Sequence, residues 1–143
     1  MNAVEKYSCN ESKTKISIDF TYSNTNAPQK TYSLPQKGWV RQDKGNGARW
    51  KVSPLWPLKM PYEIIELDEK DYKYCVIGYP SRDYFWIMSR SPKLDEGTHK
   101  EMLDRLVVKH GYDLEGSFRV RQEWGDREYA RKRGVEKETK GFA

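Results

Sequence analysis

The sequence predicts a mostly β protein, an antiparallel barrel or sandwich of short strands with one helix near its end. Three observations carry this. Runs of alternating apolar and polar residues recur along the 143-residue chain with turn residues between them. Aromatic residues make up 13% of the chain, with 5 Trp and 10 Tyr, whereas apolar residues reach only 36%. That balance suits a ring-lined sheet better than a helical bundle. The period then changes once, near residue 94, from that of a strand to that of a helix.

Taken in order, "KISIDFTY" (15–22) alternates cleanly, with Ile16, Ile18, Phe20 and Tyr22 on one face and Ser17, Asp19 and Thr21 on the other. It reads as a half-buried strand. "SNTNAPQ" follows as a turn. "KTYSLPQKGWVRQ" (30–42) reads as one strand, or as two pieces broken at Pro35. "DKGNG" is a second turn signal, and "ARWKVSP" (48–54) alternates again, with Trp50 and Val52 sharing a face. "LWPLKMP" holds two prolines and is a loop; "YEIIELD" (62–68) and "YKYCVIGY" (72–79) are strands around a tight "EKD" connection.

The stretch "SRDYFWIMSRSP" (81–92) places five large apolar or aromatic residues in a row. As a strand it sends Tyr84, Trp86, Met88 and Arg90 to one face and Phe85, Ile87 and Ser89 to the other. Apolar groups on both faces require cover on both. "LDEGTHKEMLDRLVVKHG" (94–111) supplies a helix, with Asp95 as N-cap, Lys109 and His110 at the negative end of the dipole, and Gly111 just past the end. Its apolar stripe is Met102, Leu103, Leu106 and Val107. "FRVRQEW" (118–124) reads as a last strand, so the folded domain spans residues 1–124. Residues 125–143 form a charged tail, disordered or partly helical.

The length is that of one domain. The net charge of +5 is modest and spread along the chain. It suits a soluble surface or weak attraction to anionic ligands or membranes more than a nucleic-acid face. Cys9 and Cys75 lack zinc-site spacing, and the sequence does not say whether they pair. No run is long and apolar enough for a membrane-spanning helix, and the N-terminus lacks a signal-peptide pattern. His99 and His110 both fall on the helix. No nucleophile–base arrangement, phosphate loop, metal or cofactor motif is legible, so the chain reads as a binding protein and not an enzyme.

"PSRDYFWIMSRSP", "RWKVSPLWP…PYEIIELD" and "EMLDRLVVKHGYDLEGSFRVRQEW" resemble the lipocalins, most closely their bacterial-type outer-membrane lipoprotein branch. The resemblance runs from about Tyr7 to Trp124 and is strongest over residues 48–124. It implies an up-and-down antiparallel β-barrel with the helix packed outside, under which Phe85 and Ile87 would lie. The family opens with a Gly-x-Trp strand that this chain lacks. "EKYSCNES" aligns near the end of the family's second strand, so the barrel is expected to be incomplete. Arg90 matches the family arginine that packs across the barrel base against that tryptophan.

The resemblance, together with alternation, implies an inward wall of Ile16, Ile18, Phe20, Tyr22, Trp50, Val52, Tyr62, Ile64, Cys75, Ile77, Tyr84, Trp86 and Met88. For Tyr62, Ile64, Cys75 and Ile77 the inward parity rests on the resemblance alone. Glu66 shares that parity, which is costly in an apolar barrel unless it is paired, lies at the mouth, or the parity shifts. The implied function is to carry or store a small hydrophobic ligand such as a fatty acid or lysophospholipid. Peripheral membrane association and self-association through unpaired strand edges are further expectations. Two other readings stand beside it: an interaction module with a filled barrel, and a single-stranded nucleic-acid binder. Inward rings favour a cavity; outward rings beside Lys and Arg favour a stacking surface.

Overall fold

The computed structural model describes residues 1–42 and 46–124. Seven strands form one antiparallel sheet in which each strand pairs with its neighbours in sequence. They are β1 (Val4–Cys9), β2 (Lys15–Asn24), β3 (Ala27–Val40), β4 (Arg49–Ser53), β5 (Met60–Leu67), β6 (Tyr74–Gly78) and β7 (Phe85–Ser89). The sheet curls into a half-barrel, and helix α1 (Glu96–Val108) packs on its outer side. The turn expected at 43–47 falls partly outside the described residues, and the expected charged tail, 125–143, falls wholly outside them.

Several elements run longer than their patterns predict. The "SNTNAPQ" turn shrinks to Thr25 and Asn26, because Asn24 and Ala27 already face each other across the hairpin. The Asn24 side chain accepts the Asn26 N–H at 2.9 Å and closes it. Pro35 does not break β3. It lies opposite Asp19 on β2, whereas pairing with β4 begins only at Lys37. It thus occupies an edge position, where proline's missing N–H is tolerated. "EKYSC" falls in β1, with Tyr7 opposite Ile18 and Cys9 opposite Ile16.

The expected last strand, 118–124, is not a strand of the sheet. It is anchored instead by hydrogen bonds: Arg119 to Glu96 and the Leu94 carbonyl, Gln122 to the Ala3 carbonyl, and most of all its backbone to buried Asn2 near the N-terminus. The Asn2 backbone N–H donates to the Arg121 carbonyl at 2.8 Å, and its side chain pairs with both backbone groups of Glu123. Phe118 is 85% exposed, so the alternation there has no core to face.

Two apolar cores lie on opposite sides of the sheet. Ile16, Ile18, Val52, Tyr62 and Ile77 fill the concave side. Val76, Met102, Leu106 and Tyr112 fill the convex side, against Ile65, Phe85, Ile87 and Leu103. Phe85 and Ile87 are therefore under the helix, as expected, while Val107 of the predicted stripe is 45% exposed. The helix starts at the Asp95 cap, whose carboxylate accepts the Thr98 N–H at 2.9 Å. It ends at Gly111, whose positive φ of 70° lets the Tyr112 N–H return to the Leu106 carbonyl at 3.0 Å. The Tyr112 ring then lies over Gly78, where a Cβ would come within 2.7 Å of its hydroxyl. That hydroxyl accepts the Tyr79 N–H at 2.9 Å.

A register shift in β5 corrects the inward parity of Glu66. Ile64 pairs with Ile77, but Glu66 pairs with Val76, so the extra residue Ile65 forms a bulge. Glu66 therefore faces the helix. It is buried there and accepts hydrogen bonds from Lys109 Nζ at 2.6 Å and Arg105 Nη1 at 3.1 Å, with His110 Nε2 at 2.7 Å. Burial alone would raise its pKa; the bonds from Lys109, His110 and Arg105 outweigh it and hold the carboxyl down at about 2.

Stability that depends on ionised Glu66 is present above the ordinary glutamate pKa and lost as pH falls towards about 2. Because Lys109 and Arg105 are largely solvated, Glu66→Gln should cost only about 1–2 kcal/mol near neutral pH. The variant should also flatten the acid limb of the stability curve. Urea unfolding of both proteins across the acid range checks this; matching curves would show that the cluster contributes nothing.

Candidate functional site

The concave face is built by alternation on β1 to β7. Cross-strand pairs place Ile16 beside Gly38, Val52 beside Gly38 and Met60, Trp50 beside Tyr62, and Ile77 between Ile64 and Trp86. Gly38 lets Ile16 and Val52 close over β3, each 3.5–3.6 Å from where its Cβ would stand. Of the predicted wall, Ile16, Ile18, Val52, Tyr62 and Ile77 are buried together, and Trp50, Ile64, Cys75 and Met88 pack against them.

Aromatic rings run across this face. Trp50 stacks on Tyr62 at 5.3 Å between centroids, and Tyr62 faces Trp86 at 6.5 Å. Trp86 is 43% exposed, at the edge of the wall. A second ladder, Phe20–Tyr22–Tyr32, stacks at 5.4 and 5.5 Å along the projecting β2–β3 hairpin. Leu34 lies beside it, opposite Phe20, and both Tyr32 and Leu34 are exposed. The interior thus grades from a packed inner end to a ring-lined, solvated outer end.

Two predicted residues depart from their expected places. Tyr84 precedes β7 and escapes its alternation; it is exposed and meets Tyr79 edge-on at 5.8 Å, away from the wall. Arg90 lies just beyond β7, where its Nε donates to the Tyr72 carbonyl at 2.6 Å on the exposed rim. Cys9 and Cys75 are free thiols, Cys9 exposed and Cys75 facing inward opposite Met88. Burial, then the neighbouring Glu5 charge, push the Cys75 thiol up to about 11, with Arg90 opposing.

Sequence reasoning missed the polar centre of this face, contributed by β1. Tyr7 crosses the concavity, and its hydroxyl meets that of Tyr62 at 2.5 Å. Tyr7 also donates to Glu5 Oε2, and Tyr62 reaches the same oxygen at 3.5 Å. Met88 Sδ lies 3.7 Å from both hydroxyls. The i, i+2 spacing of Glu5, Tyr7 and Cys9 was the available signal, but six residues of mixed polarity do not announce a strand. Burial raises the Glu5 pKa, and the Tyr7 and Tyr62 hydrogen bonds only partly oppose it. Burial and the adjacent carboxylate likewise push both phenols well above their ordinary range.

The outer face carries a different arrangement. Lys59, just before β5, sets its ammonium over the rings of Trp39 at 4.7 Å and Trp56 at 5.2 Å. Beside it lies an open cleft of about 370 Å³ between β3, the end of β4 and the following loop. Leu55, Trp56 and Leu58 are exposed. Rings therefore occur on both faces, and on the outer face Lys59 already occupies those of Trp39 and Trp56. His110 is held by Glu66 on the helix side, away from the concave face. Among the described residues, no three His, Cys, Asp or Glu side chains come together as metal ligands would.

Residues 1–122 match the family model described as a lipocalin-like domain. The chain is similar to temperature-induced lipocalin-1 of Arabidopsis thaliana, 31% identical over 97 residues that cover 59% of this chain and 51% of that protein. It is similar to the outer membrane lipoprotein Blc of Escherichia coli K12, 31% identical over 96 residues, covering 62% of this chain and 53% of that protein. The Vibrio cholerae Blc protein is 29% identical over 73 residues, 51% of this chain and 42% of its own length. The chain spans about half the length of the curated relatives it matches.

Glu5 generates a prediction of the opposite sign to Glu66. A raised carboxyl pKa means stability that is full below the ordinary glutamate pKa and declines as pH rises through the shifted value. Glu5→Gln keeps the shape and removes the charge. It should raise the melting temperature near neutral pH and do so far less at a pH well below the ordinary glutamate pKa, where the carboxyl is protonated in both states. Thermal melts at the two pH values check this, and an equal shift at both would mean that the charge is not what costs stability.

Proposed function

The chain belongs to the lipocalin-like domain family, and from that premise we propose that its concave face binds and carries a small hydrophobic molecule. The observation that carries this reading is the continuity of the wall. Buried Ile16, Ile18, Val52 and Ile77 are flanked by the Trp50–Tyr62–Trp86 stack and, along β2, by the exposed rings and Leu34 of the β2–β3 hairpin. An apolar surface with a few convergent hydroxyls is the usual make-up of a hydrophobic-ligand site. Burial of an acyl or alkyl chain gains about 0.8 kcal/mol per methylene. Roughly ten methylenes then offset the association cost and leave micromolar affinity. A long single-chain lipid is the ligand class that fits. The function is binding and not catalysis.

A second reading has one observation in its favour. Tyr7 and Tyr62 touch across the concavity, so the inner end is occupied by side chains. An interaction module with a filled interior would look the same there, and it would bind no probe.

Titration with N-phenyl-1-naphthylamine, a neutral fluorophore for apolar cavities, separates the two. The protein should bind it, and Trp86→Ala should weaken binding about tenfold or more. Unchanged affinity in a folded variant would remove Trp86 from the site, and a folded wild-type chain that binds no probe would favour the module.

Peripheral association with a lipid surface fits the same reading, because Leu55, Trp56 and Leu58 stand exposed around Lys59. Co-sedimentation with vesicles containing anionic lipid should fall for a Leu55→Ser, Leu58→Ser double variant. Equal sedimentation of variant and wild type would detach this loop from membrane contact.

A further inference from the structure

Glu5 is a charged group set in the middle of an apolar wall. Its inward neighbours along β1, Tyr7 and Cys9, and its partner across β2, Phe20, carry no charge. Its bonds come from the hydroxyls of Tyr7 and Tyr62, and no Lys, Arg or His among the described residues stands within ion-pair distance of it. The Cys75 thiol is close enough to feel its charge. Glu66, the other buried acid, has three cationic or ionisable partners on the far side of the sheet. The contrast is chemical. Glu66 is a completed structural ion cluster, whereas Glu5 has no cationic partner among the described residues.

We propose that Glu5, held by Tyr7 and Tyr62, selects for apolar molecules that end in a hydrogen-bond donor, long-chain amines foremost and alcohols next, and against long-chain carboxylates. This rests on the ligand-binding reading above and narrows it, departing from the fatty-acid expectation. An ionised carboxylate only accepts hydrogen bonds, so it is satisfied by a donor and not by a second acceptor. An ammonium end supplies the missing counter-charge where burial makes an ion pair matter. A hydroxyl end adds one donor to the Tyr7–Tyr62 pair. A carboxylate end meets like charge in a poorly solvated space and has to take up a proton to stay.

Competition of dodecylamine, dodecanol and dodecanoate against N-phenyl-1-naphthylamine on the full chain at neutral pH, all below their micellar concentrations, tests this. Dodecylamine and dodecanol should displace the probe at concentrations at least about tenfold lower than dodecanoate. Glu5→Gln should bring the three within about threefold of one another. Dodecanoate competing as well as dodecanol in the wild type would overturn the selectivity while leaving ligand binding intact. Discrimination that survives in Glu5→Gln would overturn the assignment to Glu5. A folded chain that binds neither the probe nor any of the three would overturn the binding reading itself. The wild-type comparison alone decides the selectivity even if the variant folds poorly.

Discussion

One extra residue in β5 organises both sides of the sheet. Strict alternation would carry Glu66 inward after Ile64. The bulge at Ile65 instead sends Ile65 and Glu66 together to the convex side, then restores Leu67 to the level of Cys75. The apolar interior is thereby spared a carboxylate at that point. The helix gains an anchor, because Glu66 meets Arg105, Lys109 and His110 at the helix end where cations are favoured. Ile65 meanwhile presses on Gly78 beside Tyr112, so apolar packing and the ion cluster fix the same end of α1.

The two buried glutamates show how partners decide what a residue type does. Both lose solvent, which by itself disfavours the charged form. Glu66 recovers more than it loses from three donors, and its carboxyl is held low. Glu5 receives only neutral hydroxyls, and its carboxyl is held high. Among the described residues, one buried acid on the concave face is bonded only by neutral hydroxyls, while the other, on the convex face, is bonded by cations.

The aromatic residues divide in the same way. Inward rings stack on one another and leave exposed faces at Tyr22 and Tyr32 on the β2–β3 hairpin and at Trp86 on β7. Outward, Trp39 and Trp56 share the Lys59 ammonium. A ring already engaged by a cation of its own chain is a poorer platform for bases than a free one.

Much of the architecture was legible because it is periodic. The strands at 15–22 and 48–54, the doubly apolar run ending β7, the Asp95 cap and Gly111 each express a local rule that their neighbours do not contradict. The inner wall from Ile16 to Ile77 followed from that alternation and from the resemblance to lipocalins. What the sequence could not decide depended on events between distant residues. The bulge at Ile65 has no turn residue to mark it, and its parity shift is favoured only because a helix forty residues later brings three donors to Glu66. The segment 118–124 alternates like a strand, yet it is tied down through the side chain of Asn2, more than a hundred residues away. Glu5 and Tyr7 form a polar centre only when the curl of the sheet brings β1 across to β5. Local patterns specify which face a side chain takes; the tertiary structure alone decides what stands opposite it, because hydrogen bonding and desolvation depend on groups that the chain's order does not place side by side.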